Sequence, residues 1–575
     1  MILFERTFAP TLRTLADTLA AQTVETWTFD DTQTRRAAEA AFEARGIKAR
    51  CRSAYKPLVV AFREEVDIDG LVSARITWPR HPQAGKRRFL LESYPLTAMF
   101  PDVAFEFAEG AESDAMPSYL VELAYRDGAK RKLTVDAPNR VHEDYARNTA
   151  LSPCGWMVVD GEAKALDTDY EQLFHATMAA LGNATWGQEP FFQELRITAN
   201  FPAADEDLGT GDEVLSLREA LHEDFYFSAL EFFGLLAGRP VGYRNLQPGQ
   251  IVPDIRLGDS PSVRAELLAY DQSAGPDFTQ DLETAGRALS PAQIRTELLK
   301  IEGEEFTARS VAGREITAIY RSGTDRGVII SAGQHANETT SPVGTLRAAH
   351  LLAARPDAHF TICPLENPDG YALHQRLIEA NPRHMHHAAR YTALGDDLEY
   401  RTGEELYEQA IRREAEKRLP ATLHLNFHGY PAHEWTRPLS GYVPRGFEVW
   451  TIPKGFFLVM RHLEGWDRAA RALMEVVTAR LNDVPGLRAF NEAQIALFER
   501  HAGETGFEIL NGFPVLISQD ERHRLPMTLI TEYPDETIYD DAFRAGHEAQ
   551  MATVLAAYDA LQKLPAELMP SQLVA

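Results

Sequence analysis

The sequence predicts an α/β protein. A mixed, mostly parallel sheet flanked by helices fills the C-terminal half, and a β-rich α+β region precedes it. Three observations lead there. From Ser290 onward, short apolar runs alternate with helix-like stretches, the pattern of strands buried between helices. Residue types that can ligate a metal stand at the ends of those runs, where α/β sheets gather their ligands. Before Ser290 the chain reads mainly as period-two strands broken by turn residues.

Leu12, Leu15 and Leu19 give residues 9–21 a helical period, and Asp30 or Asp31 caps a second helix that Gly46 stops. Strands are expected at 58–62, 72–78, 87–91, 119–125, 132–135 and 194–199, with a hairpin turn at 126–129. Residues 215–236 read as a helix with Leu217, Leu221, Phe225, Leu230 and Phe233 on its apolar face. Residues 252–270 alternate like strands, and 271–289, rich in Gly, Ser, Asp and Pro, read as a linker. Ser290-Pro291 is the N-cap and first-turn proline of a new helix. These features divide the chain into a β-rich domain at 1–214, a helix–strand connecting segment and linker at 215–289, and a catalytic domain at 290–575. In the last, apolar runs at 328–332, 360–365, 422–427 and 527–531 are the core strands. Helices are expected at 339–354, 403–418, 465–482 and 543–561.

Composition narrows the function. A chain of 575 residues holds more than one ordinary core. A formal net charge of −26 argues against nucleic acid and anionic membranes as partners, which attract basic faces. Cys51, Cys154 and Cys363 are scattered and odd in number, as expected of free thiols in a reducing compartment. The N-terminus lacks a basic segment followed by an apolar core, and no run reaches the ~18 apolar residues of a spanning helix. The expected compartment is the cytoplasm.

The chemistry starts at Gly333-Gln334-His335-Ala336-Asn337-Glu338, where a strand gives way to a helix. His335 and Glu338, three positions apart, can converge on one metal ion. A catalytic zinc needs three protein ligands and an open position. Downstream, His424 and His428 lie on one face of a strand, and either can be the third ligand. Asn367-Pro368-Asp369-Gly370-Tyr371 follows another apolar run, and Thr531-Glu532 ends a late one. The cluster His384-Met385-His386-His387 reads as a loop near the cleft.

The order strand, HxxE, helix, strand, NPDGY, strand, His-Gly-Tyr, strand, Thr-Glu resembles the M14 zinc metallocarboxypeptidase family, in an extended form with an N-terminal domain. The resemblance runs from about Ser290 to the end. It implies one zinc per chain on His335, Glu338 and His428, the Gly-Tyr after His428 favouring it over His424. It implies Glu532 as general base, with Glu536 as a rival. Arg376 is the arginine for the oxyanion, with Arg383 and Arg390 as alternatives. Asn367 is grouped with substrate binding. Family members continue with Gly-x-Asp-x-Asn-Arg, whose last two residues grip the substrate's terminal carboxylate. Here Gly395-Asp396-Asp397-Leu398-Glu399-Tyr400-Arg401 puts Glu399 and Tyr400 on those positions, or Arg401 after one inserted residue. Lys454 is a further source of positive charge. The implied activity is hydrolysis of a terminal peptide bond. The alternatives are an N-acyl amino acid amidohydrolase of the desuccinylase–aspartoacylase type, or a non-catalytic binding module. The partner is then a peptide or an acyl-amino acid, while oligomeric state has no signature in the sequence.

Overall fold

A computed structural model of the chain describes residues 1–240, 242–273, 275–443 and 450–570. In the second half, nine strands form one sheet in the order Glu304–Arg309, Glu315–Arg321, Phe360–Cys363, Val328–Ala332, Leu423–Tyr430, Met527–Pro534, Phe457–His462, Phe513–Gln519 and Glu508–Leu510. The four strands from Phe360–Cys363 to Met527–Pro534 run parallel. Antiparallel pairs join them to both flanks, so the expected parallel character holds for the centre of a mixed sheet.

This centre is where the sequence is most apolar, because a strand covered on both faces has no polar side to alternate with. Val328, Ile330, Leu423, Leu425, Met527 and Leu529 are fully buried in the main core. The Thr340–Ala353, Asp467–Leu481 and Asp540–Lys563 helices contribute to the same core. On the other face, the Gln409–Arg418 helix packs Ile411 and Ala415 against Phe306, Ile316 and Ile329.

The first half holds three four-stranded sheets. One joins Ile2–Thr7, Ser262–Leu268, Glu194–Phe201 and Gln250–Leu257. Residues 250–268, expected to connect two domains, therefore pair with the chain's first strand and with strand Glu194–Phe201. The Leu217–Leu236 helix packs its apolar side into the same core. Two expected strands are helices: Pro57–Glu64 and Arg88–Glu92. In Pro57–Glu64 six consecutive residues are buried, which erases the amphipathic period, and Pro57 occupies the first turn, where proline suits a helix. Asp31 and Ser290 cap their helices as expected, accepting from the backbone N–H of Thr34 and Gln293.

Among the described residues, no helix is long and apolar enough to cross a membrane.

Gly344 lets the Thr340–Ala353 helix approach the Asp540–Lys563 helix, which in turn supports the His428 strand through Gln550 Nε2 donating to His428 O at 3.0 Å. A Cβ on Gly344 would sit 2.6 Å from Gln550 Cβ and 2.8 Å from His547 O. Gly344→Ala gains about 0.5–1 kcal/mol of helix propensity but forces two backbones apart, at a cost of about 1–3 kcal/mol. We expect a net loss of stability in denaturant unfolding; an unchanged or raised midpoint would refute the close-approach argument.

Candidate metal centre and active site

The Val328–Ala332 and Leu423–Tyr430 strands run parallel side by side, so the turn after the first and the end of the second meet. That brings His335, Glu338 and His428 together. His335 Nδ1 lies 2.8 Å from Glu338 Oε1, His428 Nδ1 lies 3.0 Å from Glu338 Oε2, and the two Nδ1 atoms are 3.0 Å apart. All three residues are buried, and their ligand atoms lie within 4.8 Å of one another. Among the described residues this is the one cluster able to hold a metal.

The donor set fits a cation. Two imidazole nitrogens face each other and share one carboxylate, so proton-mediated bonds alone leave at least one contact unfavourable. Donors about 2.1 Å from a zinc ion are separated by roughly 3.4 Å, close to the spacings here. Burial by itself would raise the Glu338 carboxyl, yet His335, Arg390 and His428 outweigh it and hold Glu338 below the ordinary glutamate range.

A second layer orients the first, as in metal sites generally. His335 Nε2 lies 3.4 Å from Asp397 Oδ2, and Asp397 Oδ1 accepts from Gln334 Nε2 at 2.7 Å. Gln334 Oε1 accepts in turn from Asn426 Nδ2 at 3.1 Å and from the buried Arg412. His424 is not part of the trio; its Nε2 lies 2.7 Å from Ser331 Oγ.

Glu532 is the direct register partner of His428, so both side chains stand on one face. It is half-buried, as is Ile530 two residues earlier on that face. Burial and the Glu338 charge push Glu532 well above the ordinary range, while Arg390 and Lys454 pull it back. Lys454 is buried beside aromatic rings, 3.8 Å over Trp450, and burial lowers it to about 7. Glu536 accepts from Asn337 Nδ2 at 2.7 Å and lies 3.4 Å from Arg390 NH1.

The arginine beside the trio is Arg390, whose NH1 donates to Glu338 Oε1 at 2.6 Å. Arg376, expected there, instead pairs with Asp271 at 2.9 Å and Glu194 at 3.1 Å, because the Pro368–Leu377 helix directs it toward the first half. Arg383 pairs with Asp212 at the surface. Asn367, grouped with substrate binding, caps the Pro368–Leu377 helix. Its amide donates to the carbonyls of Gln334 and Tyr391, leaving it buried within the protein.

The segment expected to read a substrate terminus is also occupied. Arg401 is buried, and its donors go to Asp396, Glu408, Thr392 and the carbonyl of Leu406. Glu399 is paired with Arg412 and lies 3.4 Å from His523. Tyr400 OH accepts from Arg244 at 2.6 Å, and its ring lies against Arg522. Of that motif, Asp397 is the residue that reaches the trio, through His335. The spacing Gly-x-Asp was its available signal.

The histidine cluster serves packing. His384 Nε2 bonds Asp205 at 2.7 Å, His386 bonds the carbonyl of Asn381 at 3.0 Å, and His387 bonds Glu223.

Residues 298–402 match the family model for zinc carboxypeptidase, peptidase M14. That segment belongs to the zinc carboxypeptidase family. It contains His335, Glu338, Arg390 and Asp397 and stops before His428 and Glu532. The match covers less than half of the chain. No curated protein matches it in sequence. Among solved structures, a metallo-carboxypeptidase from Pseudomonas aeruginosa is similar at 18% identity, over 53% of this chain and 73% of that one, with a TM-score of 0.28. A metallo-carboxypeptidase from Burkholderia cenocepacia matches at 14% identity over 53% and 76%, with a TM-score of 0.30. Carboxypeptidase A from Helicoverpa armigera matches at 10% over 54% and 90%, also with a TM-score of 0.30.

One buried histidine, in the loop after the His428 strand, titrates in a useful window. His433 Nε2 contacts both oxygens of Glu219, at 2.7 and 2.9 Å. Burial would lower its pKa, but Glu219, Glu213 and Asp212 raise it to about 9. A folded pKa above the unfolded value of about 6.5 stabilises fully below that pH and is lost as pH rises through the folded value. We therefore expect wild type to lose stability relative to His433→Gln between about pH 6.5 and 9. Denaturation midpoints with equal pH slopes for the two proteins would show that His433 is not cationic when folded.

Proposed function

We propose that the chain hydrolyses the terminal amide bond of a peptide, using one zinc ion per chain held by His335, Glu338 and His428. The observation that carries this is the meeting of two Nδ1 atoms and one carboxylate within 3.0 Å, with Glu532 in register beside His428. Zinc bound there supplies a Lewis acid that polarises a carbonyl and makes water more acidic. Asp397 holds His335 in the tautomer that leaves Nδ1 free to ligate. Glu532 takes a proton from the attacking water and hands it to the leaving amine. Arg390, beside Glu338, donates to the oxygen on which negative charge develops. Three buried thiols without a disulfide suit a reducing compartment, in keeping with a cytoplasmic enzyme.

The free C-terminus is the open part of this reading. With Arg401 directed at Asp396 and Glu408, the substrate carboxylate needs a different cation, and Lys454 beside Glu532 is the one we assign.

Zinc analysis tests the ligands. His335→Ala, Glu338→Ala and His428→Ala are each expected to lose the metal while keeping a cooperative unfolding transition; full occupancy in any of the three removes that residue from the ligand set. Glu532→Gln is expected to keep zinc and to lose turnover by about 10²–10⁴-fold on a short peptide. Near wild-type turnover would take Glu532 out of the mechanism. Arg401→Ala is expected to destabilise the fold by about 3–5 kcal/mol, since it leaves buried carboxylates unpaired, with KM for peptides unchanged. A sharp rise in KM in a protein of wild-type stability would return Arg401 to substrate recognition.

A further inference from the structure

On the Leu217–Leu236 helix, Glu219, Glu223, Phe227 and Glu231 recur at every fourth position and share one face. A carboxylate row on a helix is usually solvated, but Glu219 is 4% exposed and Glu223 fully buried. The row faces two loops of the catalytic half. Arg437 donates to Glu231 at 2.6 and 2.9 Å, His387 pairs with Glu223, and Trp435 stacks on Phe227 at 5.5 Å.

Glu219 stands where these contacts branch. It accepts from the Met385 main-chain N–H at 3.1 Å and from His433 Nε2 at 2.7 Å. Along the first branch, the chain runs from Met385 through the short His387–Ala389 turn to Arg390. Along the second, His433 Nδ1 lies 3.1 Å from Thr537 Oγ1, and Thr537 directly follows Glu536. Glu536 and Arg390 then meet at 3.4 Å, with Arg390 on Glu338. Both branches end on one guanidinium.

We propose that Glu219 is a positioning residue for the hydrolysis, fixing Arg390 from two sides. This rests on the reading of Arg390 as the oxyanion donor. Glu219 bonds neither the trio nor Arg390 directly. Its carboxylate gives both loops a directional acceptor, and without it the Met385 N–H and the His433 ring are buried with no partner there. The loops then relax, and a displacement of about 1 Å at a group that acts in the transition state costs on the order of 10²-fold in rate. The loss falls on kcat, because Arg390 bonds the charge that develops during reaction. The first half of the chain is by this argument part of the catalytic apparatus.

The test is a double-mutant cycle in the full-length zinc protein, with zinc content and thermal unfolding measured on every variant. Glu219→Ala is expected to retain zinc and a cooperative transition, and to lower kcat about 10- to 100-fold with little change in KM. Glu219→Gln, which keeps an acceptor oxygen, is expected to recover part of that loss; if the alanine variant does not fold, the glutamine variant carries the cycle. In an Arg390→Ala background either change is expected to add nothing further. A full multiplicative loss in that background, or wild-type kcat in Glu219→Ala, would overturn the positioning role. Wild-type kcat in Arg390→Ala alone would overturn the oxyanion role itself, and this proposal with it.

Discussion

Glu338 has its two oxygens against two imidazole nitrogens and the Arg390 guanidinium, in a place where water does not screen them. Around it lie the carboxylates of Asp397, Glu532, Asp535 and Glu536. Gathering five acidic groups in one buried region is unfavourable unless positive charge is fixed among them. Arg390 and Lys454 supply part of that charge, and a divalent ion in the trio would supply more. Much of the local structure follows from this requirement. Asp535 caps the helix after the HxxE turn by accepting from Thr340 N at 3.0 Å, which anchors the turn that carries Glu338. Glu536 holds Arg390 toward the centre instead of letting it reach solvent.

The parallel register does the rest. Pairing Val328–Ala332 with Leu423–Tyr430, and that strand with Met527–Pro534, brings groups from positions 335, 428 and 532 to one sheet end. A shift of one residue would turn His428 and Glu532 to the opposite face, into the apolar core. Leu425, Phe427 and Leu529 on that opposite face therefore fix the chemistry as firmly as the ligands do.

How much of this was legible in the sequence depends on the range of the interaction. Val328–Ala332 and Met527–Pro534 announce themselves because a doubly covered strand must be apolar, and the trio is legible because strand ends are where such a sheet collects ligands. Residues 58–62 read as a strand because six consecutive buried residues, Pro57 to Phe62, leave the helix no amphipathic period. Arg376, Arg383 and Arg390 cannot be ranked by sequence. Each is an arginine after the same motif, and their partners, Glu194, Asp212 and Glu338, are set by tertiary contact. Residues 252–270 read as strands and form two, Gln250–Leu257 and Ser262–Leu268, but alternation marks a strand and not its neighbour, here the first strand of the chain.

The contact between the two halves adds buried polar pairs to an apolar core that both halves share, with Leu373, Leu377, Leu439 and Tyr442 packed among first-half residues. Lys56 pairs with Glu434, Tyr55 OH bonds Thr436 at 2.7 Å, and Asp224 accepts from Leu439 N at 2.9 Å, all in the loop that follows the His428 strand. Replacing such buried pairs with apolar side chains is often neutral or stabilising, so stability alone does not account for them. Apolar packing fixes volume but tolerates sliding, whereas a hydrogen bond fixes direction as well as distance. A loop that borders a metal centre must be held to a fraction of an ångström, because the groups it positions act over contacts near 3 Å. Directional contacts from a helix that is itself rigidly packed, its apolar side in the first-half core, meet that need. The desolvation they cost is offset by the apolar burial on the helix's other side, where Leu221, Phe225 and Phe233 are fully enclosed.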